Sequence, residues 1–192
     1  MRWMANEQER IIQKATEVFG VEPTLESFSD EGDRYNIQVA SVENQLREDT
    51  TSFVTIGGYE APTGYTVGGV PLRIELVGAC QTTYDIFADI LAHCVYHKMK
   101  SHVSCFPGAL YKDMITPIDP DLHMQHVLLI PPVLWEDFST IDADDKKITW
   151  LQVIPISEKE RIHALQHGVD SLLRHFEEAQ VNIFNLERKS VM

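Results

Sequence analysis

Two runs of the chain, HVLLIPPVLW at positions 126–135 and ITWLQVIPI at 148–156, are apolar on both alternating faces. A strand of that kind has no side that tolerates water, so it belongs in the middle of a sheet with cover above and below. Pro131 and Pro132 have no N–H to give a ladder and should end the first run. These two runs constrain the architecture more than any other feature.

Cover of that kind comes from helices, and three segments offer it. Met4, Ile11, Ile12, Ala15, Val18 and Phe19 recur at a period near 3.6, which predicts an amphipathic helix over about 5–19. Asn6 and Glu9 have the spacing of a capping box, Gly20 sits at the C′ position, and Pro23 follows. In TTYDIFADILAHCVYHKMK, Tyr84, Phe87, Ile90, Leu91, Cys94 and Val95 form a second stripe. The third helix opens on Ser157 and Glu160 and runs on through Ile162, Leu165, Val169, Leu172, Leu173 and Phe176. Gly168 within it costs about 1 kcal/mol against Ala, which suggests that another element approaches closely there. His163, His167, Asp170 and Arg174 fall on its polar side.

Three further strands are expected in RYNIQVA, TSFVTIGG and PLRIELVG. The last alternates Leu72, Ile74 and Leu76 against Arg73, Glu75 and Val77, the pattern of a half-buried strand. Glycine-rich GGYEAPTGYTVGG reads as a mobile loop or hairpin connection, SHVSCFPGALYKDMITPIDPDLH as irregular surface structure, and VNIFNL as a short edge strand. The short connections among the early strands point to the α+β class. We expect a mixed, mostly antiparallel sheet packed with an N-terminal, a middle and a C-terminal helix, in a single domain spanning 1–192.

Charge narrows the partners. Sixteen Lys and Arg against 29 Asp and Glu leave a net −13, a field that repels nucleic acid and anionic membranes and attracts cationic proteins. The three cysteines, Cys80, Cys94 and Cys105, form no CxxC and suit reduced thiols. No stretch approaches a membrane-spanning length, and a cytoplasmic protein is the expectation.

Candidate chemistry is sparse. His93 and His97, four apart with Asp89 one turn earlier, have a spacing that can hold zinc, which keeps a metal-dependent hydrolase open as an alternative. HCVYH lacks the internal Glu of a zinc protease helix, however. His163 and His167 repeat the spacing on a polar face, and Cys105 has His102 three residues away without a motif around either. The glycine-rich loop lacks the Lys-Ser/Thr of a phosphate-binding loop. No cofactor or metal is expected. Two features suit a protein partner instead. Tyr59 and Tyr65 stand in the glycine-rich loop as contact candidates. The stretch from Trp135 carries Glu136, Asp137, Asp142, Asp144 and Asp145 with no basic residue before Lys146. A second acid-rich zone, from Glu22 to Asp49, holds only Arg34 and Arg47 as cations.

Four pieces of the chain resemble the suppressor of fused (SUFU) family: PLRIELVGA, LLIPPVLW, WLQVIPISEKE and GVDSLLRHFEEAQVNIFNLERKSV, together spanning roughly 40–190. Arg73, Glu75, Trp150, Gly168, Phe176 and Arg188 are the motif positions, with structural roles. The resemblance implies an α+β domain without enzymatic activity. Animal members bind a transcription factor as an added strand between two domains, for which this chain is too short. Single-domain bacterial members resemble immunity proteins that occlude toxins. A basic toxin domain as partner is the resulting expectation, with a peptide- or transcription-factor-binding scaffold as the alternative.

Overall fold

The structure, a computed structural model, describes residues 6–30, 32 and 34–192. Helix α1 (Glu7–Phe19) opens on the expected capping box, with Asn6 and Glu9 each accepting from the other's backbone N–H, and ends at Gly20 in the left-handed conformation. Met4 and Ala5, part of the helix as predicted, lie outside the described residues. Strands β1 (Thr24–Ser29), β2 (Asn36–Glu43) and β3 (Thr50–Ile56) follow, then β4 (Thr66–Val67) and β5 (Val70–Gln81). Helix α2 spans Phe87–Ser101. Strands β6 (Leu110–Tyr111), β7 (His126–Ile130), β8 (Ile141–Asp142) and β9 (Lys147–Ile156) precede helices α3 (Glu158–His167) and α4 (Val169–Glu178).

Nine strands form one sheet in the order β1-β2-β3-β5-β9-β7-β6, with β4 on β5 and β8 on β9. Every pairing is antiparallel except β5–β9. The mixed, mostly antiparallel sheet of the α+β class is therefore present. The two doubly apolar runs are β7 and β9, all of β7 is buried, and Pro131 stands just beyond its end. On one face α2 contributes Phe87, Ile90, Leu91 and Val95 to a cluster with Leu76, Leu151 and Val153. On the other, Ile11, Ala15 and Phe19 of α1 pack with Trp135 and Trp150, while Leu172 and Phe176 of α4 pack with Ile154 and Ile156.

Several expectations change. Strand β5 is covered on both faces from Ile74 to Cys80, because β9 beside it places the strand centrally. The segment after α2 is irregular but not superficial: Cys105, Met114, Ile115 and Met124 belong to the core. VNIFNL forms turns rather than a strand. It is held by Gln81 N–H to Phe184 O, and the next turn by Met124 N–H to Leu186 O. Strand β1 lacks alternation in burial, five of its six residues being exposed, so the sequence carried no period to find it. The closing helix is two helices. Gly168 adopts φ 89° and ψ 154°, which breaks the run, and a Cβ there would touch nothing. The glycine serves a turn instead of a close approach, and α3 consequently leaves Ile162 and Leu165 exposed, at 40% and 62%.

Candidate protein-binding surface

Where β7 ends, the sheet has a notch. Strand β7 pairs with β9 as far as Ile130 opposite Gln152, and β8 pairs from Ile141 opposite Ile148. Between them Thr149, Trp150 and Leu151 have no strand on that side. An apolar groove of about 450 Å³ opens here, lined by Tyr65, Leu72, Phe106, Pro132, Trp150 and Leu151 among others. Tyr65 and Phe106 are exposed at 45% and 41%. Scattered exposed apolar side chains are ordinary, but a concentration around a groove marks an interaction surface.

The acidic loop returns to β9 on the other face of the sheet: the Trp150 side chain packs there with Phe19, Trp135 and Phe138, and its Nε1 donates to Ser139 O at 3.1 Å. Glu136, Asp137, Asp142, Asp144 and Asp145 are all exposed. The positive groups near them are partly committed. Lys147 pairs with Asp142, and Lys146 bridges Glu7 at 2.7 Å and Asp145 at 3.0 Å. The hydrogen bond to Glu7 holds Lys146 above its ordinary pKa and Glu7 below its own. Glu136, Asp137 and Asp144 have no ion pair among the described residues. These three carry the uncompensated charge.

Trp135 and Tyr59 lie elsewhere. Trp135 is buried between Phe19 and Phe138 and donates its indole N–H to Gln45, so a partner cannot reach it. Tyr59 is half-buried against the α1 cluster, and burial pushes its hydroxyl pKa up. Its backbone N–H is committed to Glu75, one of the motif positions. Glu75 has no exposed surface and accepts from Thr55 Oγ1 (2.5 Å) and from the N–H groups of Gly57 (3.0 Å), Gly58 (3.1 Å) and Tyr59 (2.8 Å). Lys98, also buried, donates to Gly58 O and Ile74 O. Burial raises the Glu75 carboxyl and lowers the Lys98 ammonium, and their mutual charge opposes both shifts. A Cβ on Gly58 would come within 2.8 Å of Glu75 Oε2, so only glycine lets the loop close on this carboxylate.

The remaining motif positions are equally internal, apart from half-buried Arg73 and exposed Gly168. Arg188 forms a two-pronged pair with Glu160 (2.6 and 2.9 Å), donates to Pro155 O and lies over the Phe176 ring. Glu160 in turn accepts from Ser157 N and Val191 N, which ties the last residues to the start of α3.

The histidine pairs take structural contacts. His93 Nδ1 lies 2.8 Å from Met114 O, and the His97 ring meets Tyr111 edge-on. His163 lies 4.7 Å from His167 and 5.1 Å from His175, ring to ring. Among the described residues no group of three His, Cys, Asp or Glu side chains is placed to hold a metal. All three thiols are buried, which pushes their pKa values up, that of Cys80 to about 12.

Comparison with known proteins now bears on this arrangement. The profile described as Suppressor of fused protein (SUFU) matches residues 33–189. The chain belongs to the suppressor of fused family. Immunity protein YqcF of Bacillus subtilis (strain 168) is 35% identical over 190 residues, covering 98% of this chain and 99% of that protein. A putative SUFU homologue from Neisseria gonorrhoeae FA 1090 superposes with a TM-score of 0.71 at 15% identity, over 96% of each chain. The Sufu–Fu complex gives 0.67 at 11% identity over 96% of this chain and 91% of that one. Drosophila Suppressor of Fused gives 0.65 at 13% identity; the match covers 94% of this chain and half of that one. The fold is therefore the SUFU fold. No described helix is long and apolar enough to cross a membrane.

Of the contact candidates read from the sequence, Tyr65 lines the groove, while the acids of 136–145 are not among its lining residues. Phe106 and Pro132 were missed. The double proline that ends a buried strand was the available signal for an opening there.

Proposed function

We propose that this chain is a non-enzymatic binding protein that neutralises a basic toxin domain by covering it, as the name of its Bacillus relative would suggest. The observation that carries the reading is the apolar groove at the β7–β9 notch, on a chain whose loop from Glu136 to Asp145 adds exposed carboxylates without ion pairs at Glu136, Asp137 and Asp144 among the described residues. Its apolar lining offers anchor positions that lose water on contact, and the acids accelerate the approach of a cationic surface. Tyr65 and Phe106 are the anchors. Glu136, Asp137 and Asp144 are the guides, with Asp142 and Asp145 half-neutralised by Lys147 and Lys146. Nothing in this role requires a bond to be made or broken, and the cytoplasm of the producing cell is where it would act.

The test is co-expression with a toxin domain encoded beside this chain, together with isolation of the complex. Rescue of growth and a stoichiometric complex, both weakened in the Tyr65→Ala/Phe106→Ala variant, are expected. A complex that forms equally well without these anchors would move the interface elsewhere, and rescue without any complex would remove occlusion altogether.

A further inference from the structure

Away from the notch, a polar pocket of about 300 Å³ lies between the end of β1 and the C-terminal half of α2, lined by Ser29, Asp30, His93, Tyr96, His97 and Lys100 among others. Its polar atoms are conspicuously short of partners. Tyr96 is 8% exposed, and its hydroxyl makes no hydrogen bond among the described residues. Asp30 is 6% exposed. Its Oδ1 accepts from Arg34 N (2.8 Å) and Tyr35 N (2.9 Å), while Oδ2 lies 3.0 Å from Lys100 Nζ without meeting hydrogen-bond geometry. Buried groups left this way are costly unless something satisfies them.

What could satisfy them follows from the direction of each deficit. Asp30 Oδ2 can only accept, and those backbone N–H groups together with Lys100 hold its carboxyl at about 2, fully ionised. Met114 O can only accept, so His93 Nδ1 carries a proton, which in the neutral ring leaves Nε2 as the acceptor. Burial, and then His93, lowers His97, which is therefore neutral near pH 7. The Tyr96 oxygen has lone pairs to offer. Every unmet site can thus receive a proton donor, and the buried charge among them is negative. Lys100 supplies one cation, but it is 38% exposed at its side chain and stands above the Tyr96 ring at 6.0 Å, a placeholder at the rim.

We propose that this pocket receives the guanidinium of an arginine from the protein partner, which displaces Lys100 and donates to Asp30, Tyr96 and His93 together. Arginine fits better than lysine because its planar fork carries five donors in fixed directions, whereas an ammonium meets the same acceptors from one point. The proposal rests on the reading of the chain as a partner-binding protein and gives that partner a second chemical requirement besides its positive charge.

The test uses N-acetyl-L-arginine amide as the probe and needs no partner. Titration is followed through the imidazole Cε1–H signals of His93 and His97, with the citrulline analogue as the neutral isostere. The wild type should show saturable shifts with the arginine probe alone. Lys100→Ala should bind more tightly, because the internal competitor has gone. Tyr96→Phe and Asp30→Asn should each bind about tenfold more weakly, the range for one charge-assisted hydrogen bond. Asn keeps the Oδ1 acceptor, and thermal melts confirm that both variants fold. Equal shifts with citrulline, weaker binding by Lys100→Ala, or no saturable shift in either wild type or Lys100→Ala would overturn the proposal. Such a failure leaves occlusion at the notch untouched, just as an absent toxin complex would leave the probe result standing.

Discussion

The buried carboxylates Glu75 and Glu160 and the exposed ones between residues 136 and 145 belong to one acidic chain, yet they do opposite work. Glu75 and Glu160 have every lone-pair direction taken up by Thr55, backbone N–H groups or Arg188, and they hold loops and the C-terminal segment to the sheet. Glu136, Asp137 and Asp144 are paired with nothing among the described residues and hold nothing. A carboxylate that is satisfied specifies the fold, and one left unsatisfied on the surface is available to something else. Net charge cannot separate the two populations; hydrogen bonding does.

The contrast is sharpest at Glu75. Glu75→Ala would leave the Thr55 hydroxyl and three backbone N–H groups without their acceptor, and buried Lys98 without its opposing charge. Removing one partner from a buried charged network destabilises by about 3–5 kcal/mol. Urea unfolding should show a loss of that size, with Glu75→Gln between the variant and the wild type. A loss below about 1 kcal/mol would place Glu75 with the surface acids and erase the distinction.

Arg188→Ala should come next, at about 3 kcal/mol, since it leaves Glu160 buried with only Ser157 N and Val191 N as donors. Arg188→Lys restores the charge but not the two-pronged geometry or the stacking over Phe176, so it should recover only part of the loss. Full recovery would mean that charge alone matters there.

Acid should dissect the same contrast. Asp30 and Glu158 are both held at about 2, Asp30 first by Tyr35 N–H and then Lys100, Glu158 by Arg161. A carboxyl depressed in the folded state stabilises above its ordinary value and loses that contribution as pH falls through the depressed one. Stability should therefore decline from about pH 4.5 toward pH 2. Asp30→Asn should flatten part of that decline.

Much of this fold was legible because its signals are local. The capping pairs Asn6/Glu9 and Ser157/Glu160 formed as spaced, and the two doubly apolar runs became adjacent strands. What escaped was set by neighbours. The alternation of β5 suggested one wet face, but with β9 beside it in the sheet, residues of α2 and α1 close the two faces. Gly168 broke a helix whose apolar spacing ran straight across it, because spacing does not register a backbone at φ 89°. The site was half legible for the same reason. Composition marked the acids, but burial of Trp135 and exposure of Phe106 depend on segments far away in sequence.

The smallest effect on stability is also the one that bears most on function. Replacing Asp137 and Asp144 by lysine should change unfolding free energy by no more than about 0.5 kcal/mol, since both are exposed and neither makes an ion pair among the described residues. Association with a basic toxin domain should nevertheless slow, by about tenfold at low ionic strength, because rim charges act mainly on the encounter rate. The difference should shrink as salt screens it, while dissociation stays nearly the same. The groove anchors predict the reverse signature, with Phe106→Ala accelerating dissociation and barely altering association. If the lysine variant instead loses stability on the scale of Glu75→Ala, the surface acids are part of the fold, and the division between the two kinds of carboxylate is wrong.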